Sequence, residues 1–251
     1  MADAGKSPKT VSNTHGVLHR ALEQAVRWSI LSRNVADVVE PPRVSRPPMR
    51  TLSPEEARKV LAVAEGDELE ALWRLALTTG LRQGELAALR WGQVDLERGV
   101  LQVVGTLQQA SDHERVVAEP KTARGRRSVQ IAGATVESLR AHRARCMAKS
   151  VASGHHDAYV FAWGDGRPYS MSMIWKRWHR LNVKAEVPLV RFHDLRHTAA
   201  SLLLTRGVHP KVVQEMLGHS TIAMTLDVYS HVAPSLHREA ATVMDALLSQ
   251  T

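Results

Sequence analysis

Residues 193–197 read His-Asp-Leu-Arg-His, and residues 217–229 read Leu-Gly-His-Ser-Thr-Ile-Ala-Met-Thr-Leu-Asp-Val-Tyr. In the first stretch His193 and Arg196 are three residues apart, so both basic side chains share one face of a helix. In the second, a glycine typical of a helix C-cap precedes His219. Taken alone, Tyr229 is compatible with an ordinary half-buried phenol. It becomes a useful nucleophile on a phosphodiester only where cationic donors hold the phosphate.

A further basic position lies upstream, in the stretch Thr-Gly-Leu-Arg-Gln-Gly-Glu at residues 79–85. Arg82 follows a glycine turn near a helix start, where outward-facing backbone N–H groups also attract anions. Glu85 lies three residues later and is placed to hold the Arg82 guanidinium or to cap the turn. The same pair is equally compatible with a purely structural Arg–Glu contact.

The composition favours a polyanionic partner. Lys plus Arg number 33 against 25 Asp plus Glu, which gives a net charge of +8 and a pI near 10. Such an excess is typical of nucleic-acid binding, because phosphate neutralisation releases condensed counterions, although an unrelated basic enzyme has the same balance. Cys146 is the only cysteine, so it has no disulfide partner in the chain and is interpreted as a packing residue.

Two absences in the sequence bear on location. No apolar run reaches the roughly 18 residues that a membrane-spanning helix needs. Residues 1–10 lack the apolar segment of a signal peptide. We therefore expect a cytoplasmic protein that does not enter a membrane.

The periodicity predicts a mainly α fold with a small antiparallel β-sheet, that is, an α+β class. Apolar residues recur at helical spacing over 11–40, and proline pairs then predict a linker over 41–50. The main domain is expected over 51–251, where Ser53 and Glu56 form a capping box at the first helix. Trp175 and Trp178 are three residues apart and are interpreted as core residues rather than as stacking platforms.

Short runs of β-forming residues at 100–104, 115–118 and 128–131 predict the sheet, which is inserted between helices. Between the last two runs, residues 120–127 read Pro-Lys-Thr-Ala-Arg-Gly-Arg-Arg, which predicts an exposed hairpin tip. This tip is either a solvated cationic turn or a DNA contact made by Arg124, Arg126 and Arg127. In the second interpretation Lys121 reaches a leaving oxygen and protonates it.

The spacing of the first stretch also allows a different chemistry. His193 and His197 have the His-x-x-x-His spacing of a zinc site, with Asp194 where metalloproteases carry Glu. Asp is one methylene shorter than Glu, and Arg196 beside a dication is electrostatically unfavourable. A zinc hydrolase is therefore the weaker alternative, and no metal is expected.

Six of these residues, taken in chain order, resemble the catalytic set of the tyrosine recombinase (phage integrase) family: Arg82, Lys121, His193, Arg196, His219 and Tyr229. Their contexts match as well: Thr-Gly-Leu-Arg-x-x-Glu, Lys-Thr in a β-hairpin, His-x-Leu-Arg-His-Thr, and Leu-Gly-His-Ser before the tyrosine. The resemblance covers roughly residues 50–251 and implies the catalytic-domain fold of that family. Type IB topoisomerases use similar chemistry, but the Leu-Gly-His-Ser context favours integrases.

The resemblance implies a role for each residue. Tyr229 attacks the scissile phosphate, forms a 3′-phosphotyrosyl link and releases a 5′-hydroxyl. Arg82, Arg196 and His219 hydrogen-bond the non-bridging oxygens, whose charge grows in the transition state. Lys121 protonates the leaving oxygen. His193 assists proton removal from the tyrosine, and Glu85 supports the site.

The resemblance also implies partners and organisation. Neither cofactor nor ATP is needed, because the bond energy is stored in the phosphotyrosine. The expected partner is double-stranded DNA, bound by a homotetramer that is monomeric when free, in the cytoplasm and nucleoid of a bacterium or a phage-infected bacterium. Residues 1–40 match only part of the helical (SAM-like) core-binding domain. A catalytically impaired DNA-binding relic is therefore the alternative. The helix predicted over 236–248 either packs on a neighbouring protomer or closes its own core.

Overall fold

The computed structural model describes residues 5–45, 50–109, 115–118, 125–149, 158–230, 244–245 and 248. The chain forms two compact units, Met1–Pro48 and Met49–Thr251. Their boundary falls inside the interval 41–50 that the sequence predicts as a linker. Assignment of the first unit to a core-binding domain stays a prediction. The helix predicted over 236–248 lies almost wholly outside the described residues.

The first unit contains one long helix, α1 (Pro8–Arg27), and a 3-10 turn (Val35–Val38). Of the interval 11–40 that the sequence predicts as helical, the part up to Arg27 lies in α1, and the chain then turns at Ser29, which has a positive φ of 57°. Asn34 caps the 3-10 turn, and its amide donates to the carbonyl of His19 at 3.0 Å. His19 Nε2 also lies 2.7 Å from Asp37 Oδ1, so polar contacts fold the turn back onto α1.

Eight α-helices lie in the described part of the second unit: α2 (Pro54–Val63), α3 (Glu70–Thr79), α4 (Gln83–Ala88), α5 (Gly133–Lys149), α6 (Met171–Lys184), α7 (Asp194–Thr205), α8 (Pro210–Leu217) and α9 (Ala223–Ser230). The predicted capping box at α2 is confirmed. Glu56 N donates to Ser53 Oγ at 3.2 Å, and Ser53 N donates to Glu56 Oε2 at 2.8 Å. Across the described residues, none of the helices combines the length and apolar character needed to cross a membrane.

The β-structure forms two antiparallel sheets among the described residues, where the sequence predicted one. Strands β1 (Val94–Asp95), β2 (Val100–Val103) and β5 (Arg127–Gln130) pair in the order β1-β2-β5. Strands β3 (Thr106–Gln109) and β4 (Arg115–Ala118) form the second sheet. The predicted hairpin between β4 and β5 is therefore wrong, since these strands belong to different sheets and the basic segment at 120–127 connects the two sheets.

The core of the second unit is built around α3, which packs against α2, α5 and α7. Trp73 on α3 lies 5.7 Å from Trp178 on α6, measured between ring centroids, and both tryptophans are buried. The core position predicted for Trp178 is confirmed, and its indole N–H donates to Val190 O at 2.8 Å. The core position predicted for Trp175 is wrong. Its side chain is 51% exposed and stacks on His179, because the buried stripe of α6 runs through Ile174, Trp178 and Leu181.

Gly80 ends α3 at the point where three helices meet. Its φ of 62° is left-handed, and a methyl group built there would overlap Leu217 Cδ2 and lie 3.2 Å from Ala199 Cβ. Glycine therefore allows the ends of α3 and α8 to approach α7 closely.

We expect Gly80→Ala to lower the free energy of unfolding of the second unit. The left-handed backbone costs roughly 1–2 kcal/mol for a residue with a Cβ, and overpacking adds about 1–3 kcal/mol. The change is measured by urea unfolding followed by tryptophan fluorescence. Gly66→Ala is the matched control, because Gly66 has a φ of 75° with no atom within 4 Å of an added methyl group. Equal losses in the two variants would show that the packing at Gly80 is not tight.

Candidate active site

Three of the predicted site residues converge where α4, α7 and the end of α8 meet. Arg82 is the N-cap of α4, Arg196 lies in the first turn of α7, and His219 follows the glycine that ends α8. Arg196 Nε donates to His219 Nε2 at 3.2 Å, and Arg82 Nη2 donates to Gly218 O at 3.2 Å. Residues separated by more than a hundred positions thus form one basic cluster.

Arg196 is a buried cation with one free donor. The residue is 3% exposed, and Nη1 donates to Gly80 O at 3.1 Å. Its Nη2 has no hydrogen-bond partner among the described residues. Burial, followed by the charge of Arg82, lowers the pKa of Arg196 from 12.5 to about 9, so the group remains a cation at neutral pH. A buried cationic N–H without an acceptor is costly, and an incoming anionic oxygen would satisfy it.

His219 is held from both ring nitrogens. Its Nε2 accepts from Arg196, and its Nδ1 lies 2.8 Å from Thr225 Oγ1. Because Nε2 acts as acceptor, the proton of the neutral ring is assigned to Nδ1, which donates to the threonine hydroxyl. Burial, followed by the charges of Arg196 and Arg82, lowers the pKa of His219 to about 3, so the ring is neutral at physiological pH.

Thr225 is a candidate functional residue that the sequence analysis missed. It is fully buried in the first turn of α9, and its side chain orients His219. The available signal was its position six residues after the histidine, where the next helix begins. A threonine at a helix start has many structural uses, so this signal is weak without coordinates.

The buried carboxylate of Glu85 accepts hydrogen bonds from two arginines. The predicted Arg82–Glu85 contact is confirmed: Arg82 Nη1 donates to Oε1 at 2.8 Å, and the backbone N of Arg82 donates to Oε2 at 2.9 Å. Arg127 donates to the same two oxygens, at 3.1 Å through Nη1 and 2.9 Å through Nη2. Burial raises the pKa of Glu85, but the hydrogen bond and charge of Arg127, together with Arg82, outweigh it and bring the pKa below 4.5.

Arg127 is not at an exposed tip, which corrects the prediction from the basic stretch. Its side chain is 7% exposed, because it lies at the start of β5 and points at Glu85 and the end of α8. Arg126 is exposed, as expected for that segment. Lys121 and Arg124 lie outside the described residues.

His193 and His197 lie at the N-terminus of α7, with ring centroids 5.5 Å apart. Partial burial lowers the pKa of both rings, assisted by Arg196 at His193 and by His193 at His197. Asp194, required by the zinc interpretation, uses both carboxylate oxygens to pair with Arg191 at 2.9 Å. Among the residues with described structure, no group of three or more His, Cys, Asp or Glu side chains could hold a metal ion.

Tyr229 lies on α9, which packs against α7 and α8. It follows Thr225 by four residues, so the two positions lie on the same helix face about 6 Å apart along the axis. Thr225 contacts His219, so Tyr229 lies one helical turn beyond a residue that contacts the basic cluster. The side chain of Tyr229 is outside the described structure.

The sequence of this chain is similar to those of known proteins. A model of the phage integrase family matches residues 50–235. A "Tyrosine recombinase XerC-like" protein of Caldanaerobacter subterraneus is 31% identical, over 97% of this chain and 67% of its own length. The ICEBs1 integrase of Bacillus subtilis is 30% identical, over 99% of this chain and 68% of its own length. The chain thus spans about two thirds of the length of these curated relatives.

Solved structures share the fold. The Tn1549 transposon integrase, in complex with transposon right end DNA, superposes with a TM-score of 0.79 at 24% identity, covering 96% of this chain and 82% of the other. The XerA recombinase superposes with a TM-score of 0.62 at 24% identity, covering 93% of this chain and 76% of the other. The predicted class, mainly α with small antiparallel β-structure, is confirmed, although the strands form two sheets instead of the one predicted.

Proposed function

The chain belongs to the phage integrase family, and on this premise we propose that it cleaves and rejoins double-stranded DNA at a specific site through a 3′-phosphotyrosyl intermediate. The observation that carries the proposal is the buried Arg196, whose Nη2 has no acceptor in the described part of the chain and which lies beside Arg82 and His219. A cluster of fixed donors is suited to a phosphate whose charge increases during reaction.

In the proposed reaction Tyr229 Oη attacks the scissile phosphorus and the bond to the 5′ oxygen breaks. Arg82 and Arg196 donate to the non-bridging oxygens. When the phosphate arrives, Arg196 Nη2 gains its missing acceptor. His219 is neutral in the free protein and held through Thr225, so it enters the reaction as an oriented hydrogen-bonding group.

Two proton transfers complete the proposed step. The leaving 5′ oxygen takes a proton, for which Lys121 is the proposed donor, and the attacking phenol loses one, for which His193 is the proposed acceptor. The pKa of His193 is lowered by partial burial and Arg196, which keeps the ring neutral and able to accept. Religation reverses the two transfers, and no energy source is required because the phosphotyrosine retains the bond energy.

The proposed partner is duplex DNA, and the Tn1549 relative is described as bound to transposon DNA. The net charge of +8 supports this partner, since phosphate contacts release counterions. Arg126, exposed on the connection between the sheets, and Arg124 are proposed DNA contacts. We also propose assembly as a tetramer on DNA from free monomers, a cytoplasmic and nucleoid location, and membership of residues 1–40 in a core-binding domain.

The proposal is tested with a suicide duplex, nicked near the crossover so that religation fails, in the presence of EDTA. We expect a protein–DNA adduct that survives denaturation. No adduct on a proven target site would favour a DNA-binding relic. Activity lost only with the chelator would favour a zinc hydrolase.

Thr225→Val should slow adduct formation at saturating DNA by about tenfold, because one hydrogen bond contributes about 1–1.5 kcal/mol. The isosteric valine keeps the buried volume but leaves His219 Nδ1 without its acceptor. Thr225→Ser retains the hydroxyl and is the matched control. Equal rates for the valine and serine variants would remove the threonine hydroxyl from the site.

A further inference from the structure

Arg127 is linked to the site by contacts that a DNA-binding arginine would not have. Beyond its two bonds to Glu85, its Nε donates to Met216 O at 2.7 Å, in the last turn of α8. Gly218 lies so close that an added methyl group would be 2.9 Å from Arg127 Nη1. One guanidinium thus contacts α4 through a carboxylate and α8 through a carbonyl. With its own strand, it joins three elements.

The residues held by Arg127 are those that hold the phosphate-binding groups. Glu85 fixes Arg82 by a side-chain bond and a backbone bond. Met216 is three residues before His219, and the carbonyl of Gly218 accepts from Arg82. Arg127 does not contact Arg82 or His219 through any described hydrogen bond, yet it borders both partners of Arg82, Glu85 and Gly218, and Gly218 directly precedes His219.

The charges give a second reason for its position. The formal charges of Glu85 and Arg82 alone sum to zero, so the carboxylate would cancel the positive charge that faces the phosphate. Glu85 with both arginines sums to +1. Because the carboxylate is only 6% exposed, water screens this charge weakly. Arg127 therefore leaves Arg82 available as an electrostatic donor.

We propose that Arg127 is a positioning residue of the cleavage reaction: it neutralises Glu85 and fixes the α4 and α8 ends that carry Arg82 and His219. This inference rests on the proposed recombinase function. It replaces the direct DNA contact that the basic sequence suggested for this residue.

The test compares Arg127→Met, Arg127→Lys and wild type in single-turnover cleavage of the suicide duplex. At saturating DNA we expect the adduct to form about 100-fold more slowly with methionine, approaching the loss of one fixed donor. The Kd for the same duplex should change little. Lysine should restore only part of the rate, since it keeps the charge but not the three-point fork.

Matched variants separate positioning from other effects. Arg140→Met removes an arginine that, like Arg127, bonds carboxylate oxygens and a backbone carbonyl, here those of Glu97, Glu137 and Leu96, and it should cleave like wild type. Arg126→Ala should instead raise the Kd and reduce the salt slope by about one. If Arg127→Met behaves like Arg126→Ala, the residue is a DNA contact and the inference is overturned.

A double variant tests the electrostatic mechanism. In the Arg127→Met background, Glu85→Gln removes the negative charge that would otherwise cancel the charge of Arg82, while retaining an acceptor for Arg82. We expect the double variant to cleave about tenfold faster than Arg127→Met, a coupling of the size that residues in one ionic network show. No recovery would overturn the neutralisation of Glu85.

The pairing is also measurable without DNA. Among the described residues, Arg82 and Arg127 are the charged groups that contact Glu85. The charge of Glu85 also acts on Arg196, where it raises the pKa. A carboxylate with a lowered pKa stabilises the fold above its unfolded pKa and loses this contribution as pH falls. The stability deficit of Arg127→Met should therefore shrink between pH 7 and pH 4. A deficit equal at both pH values would contradict the pairing.

The outcomes for the two proposals differ. If wild-type protein forms no adduct on a proven site, the recombinase function is wrong and this inference is wrong with it. If wild type forms adduct and Arg127→Met forms it equally fast, only the role of Arg127 is overturned.

Discussion

Tyr229→Phe is expected to abolish the covalent protein–DNA adduct while leaving duplex binding nearly unchanged. The substitution removes one oxygen, the proposed nucleophile, and keeps the ring on α9. Loss of a nucleophile with no substitute lowers the rate by about 10⁴-fold or more, which places adduct formation below detection. The measurement is denaturing electrophoresis of labelled suicide duplex, beside a binding titration with the same DNA.

The two other tyrosines of the chain supply the controls. Tyr159 receives a hydrogen bond from Arg90 Nη2 at 3.2 Å, outside the basic cluster. Tyr169 is buried, and burial raises its pKa to about 12, so its phenol loses its proton less readily than an ordinary tyrosine does. Phenylalanine at either position should leave the adduct intact. An adduct that persists in Tyr229→Phe and disappears in one of these controls would identify a different nucleophile.

The local structure of the two stretches that are proposed to bind phosphate could be predicted because it depends on residues close in sequence. The sequence predicted one helix face for His193 and Arg196 and a helix C-cap at Gly218. In the structure His193 is the N-cap of α7 and Arg196 lies in its first turn, and Gly218, with a φ of 66°, is the C-cap of α8. The capping box at Ser53 is equally local. In each case residues three or four positions apart supply the whole interaction.

The parts that were wrong depend on partners distant in sequence. Strand β5 does not pair with β4, which precedes it in the chain, but with the more distant β2, while β4 pairs with β3 (Thr106–Gln109), which packs against α4. Arg127 was expected to be exposed because its neighbours are basic, yet a buried carboxylate 42 positions away draws it inward. Trp175 and Trp178 satisfy the same spacing, and only the position of the core decides between them.

Arg196→Ala should reduce the rate of cleavage at saturating DNA by about 10³-fold, the upper range for loss of one preorganised donor. Affinity for intact duplex should fall much less, because the contact strengthens as charge develops on the phosphate. Arg196→Lys should recover little. Lysine keeps a cation, but its three donors radiate from one nitrogen and do not reproduce the planar guanidinium, whose separate nitrogens bond His219 and Gly80 O and leave Nη2 for the phosphate.

The charge on the substrate offers a separate test of this role. A methylphosphonate at the scissile position replaces one non-bridging oxygen by a methyl group and so removes one negative charge. If Arg196 acts by stabilising negative charge on the phosphate, the ratio of the cleavage rates of wild type and Arg196→Ala should be smaller on this substrate. A purely structural role predicts the same ratio on both substrates, because a misplaced α7 would disturb every contact alike. Equal losses in rate and affinity would likewise count against transition-state binding, since they describe a residue that holds DNA equally before and during the reaction.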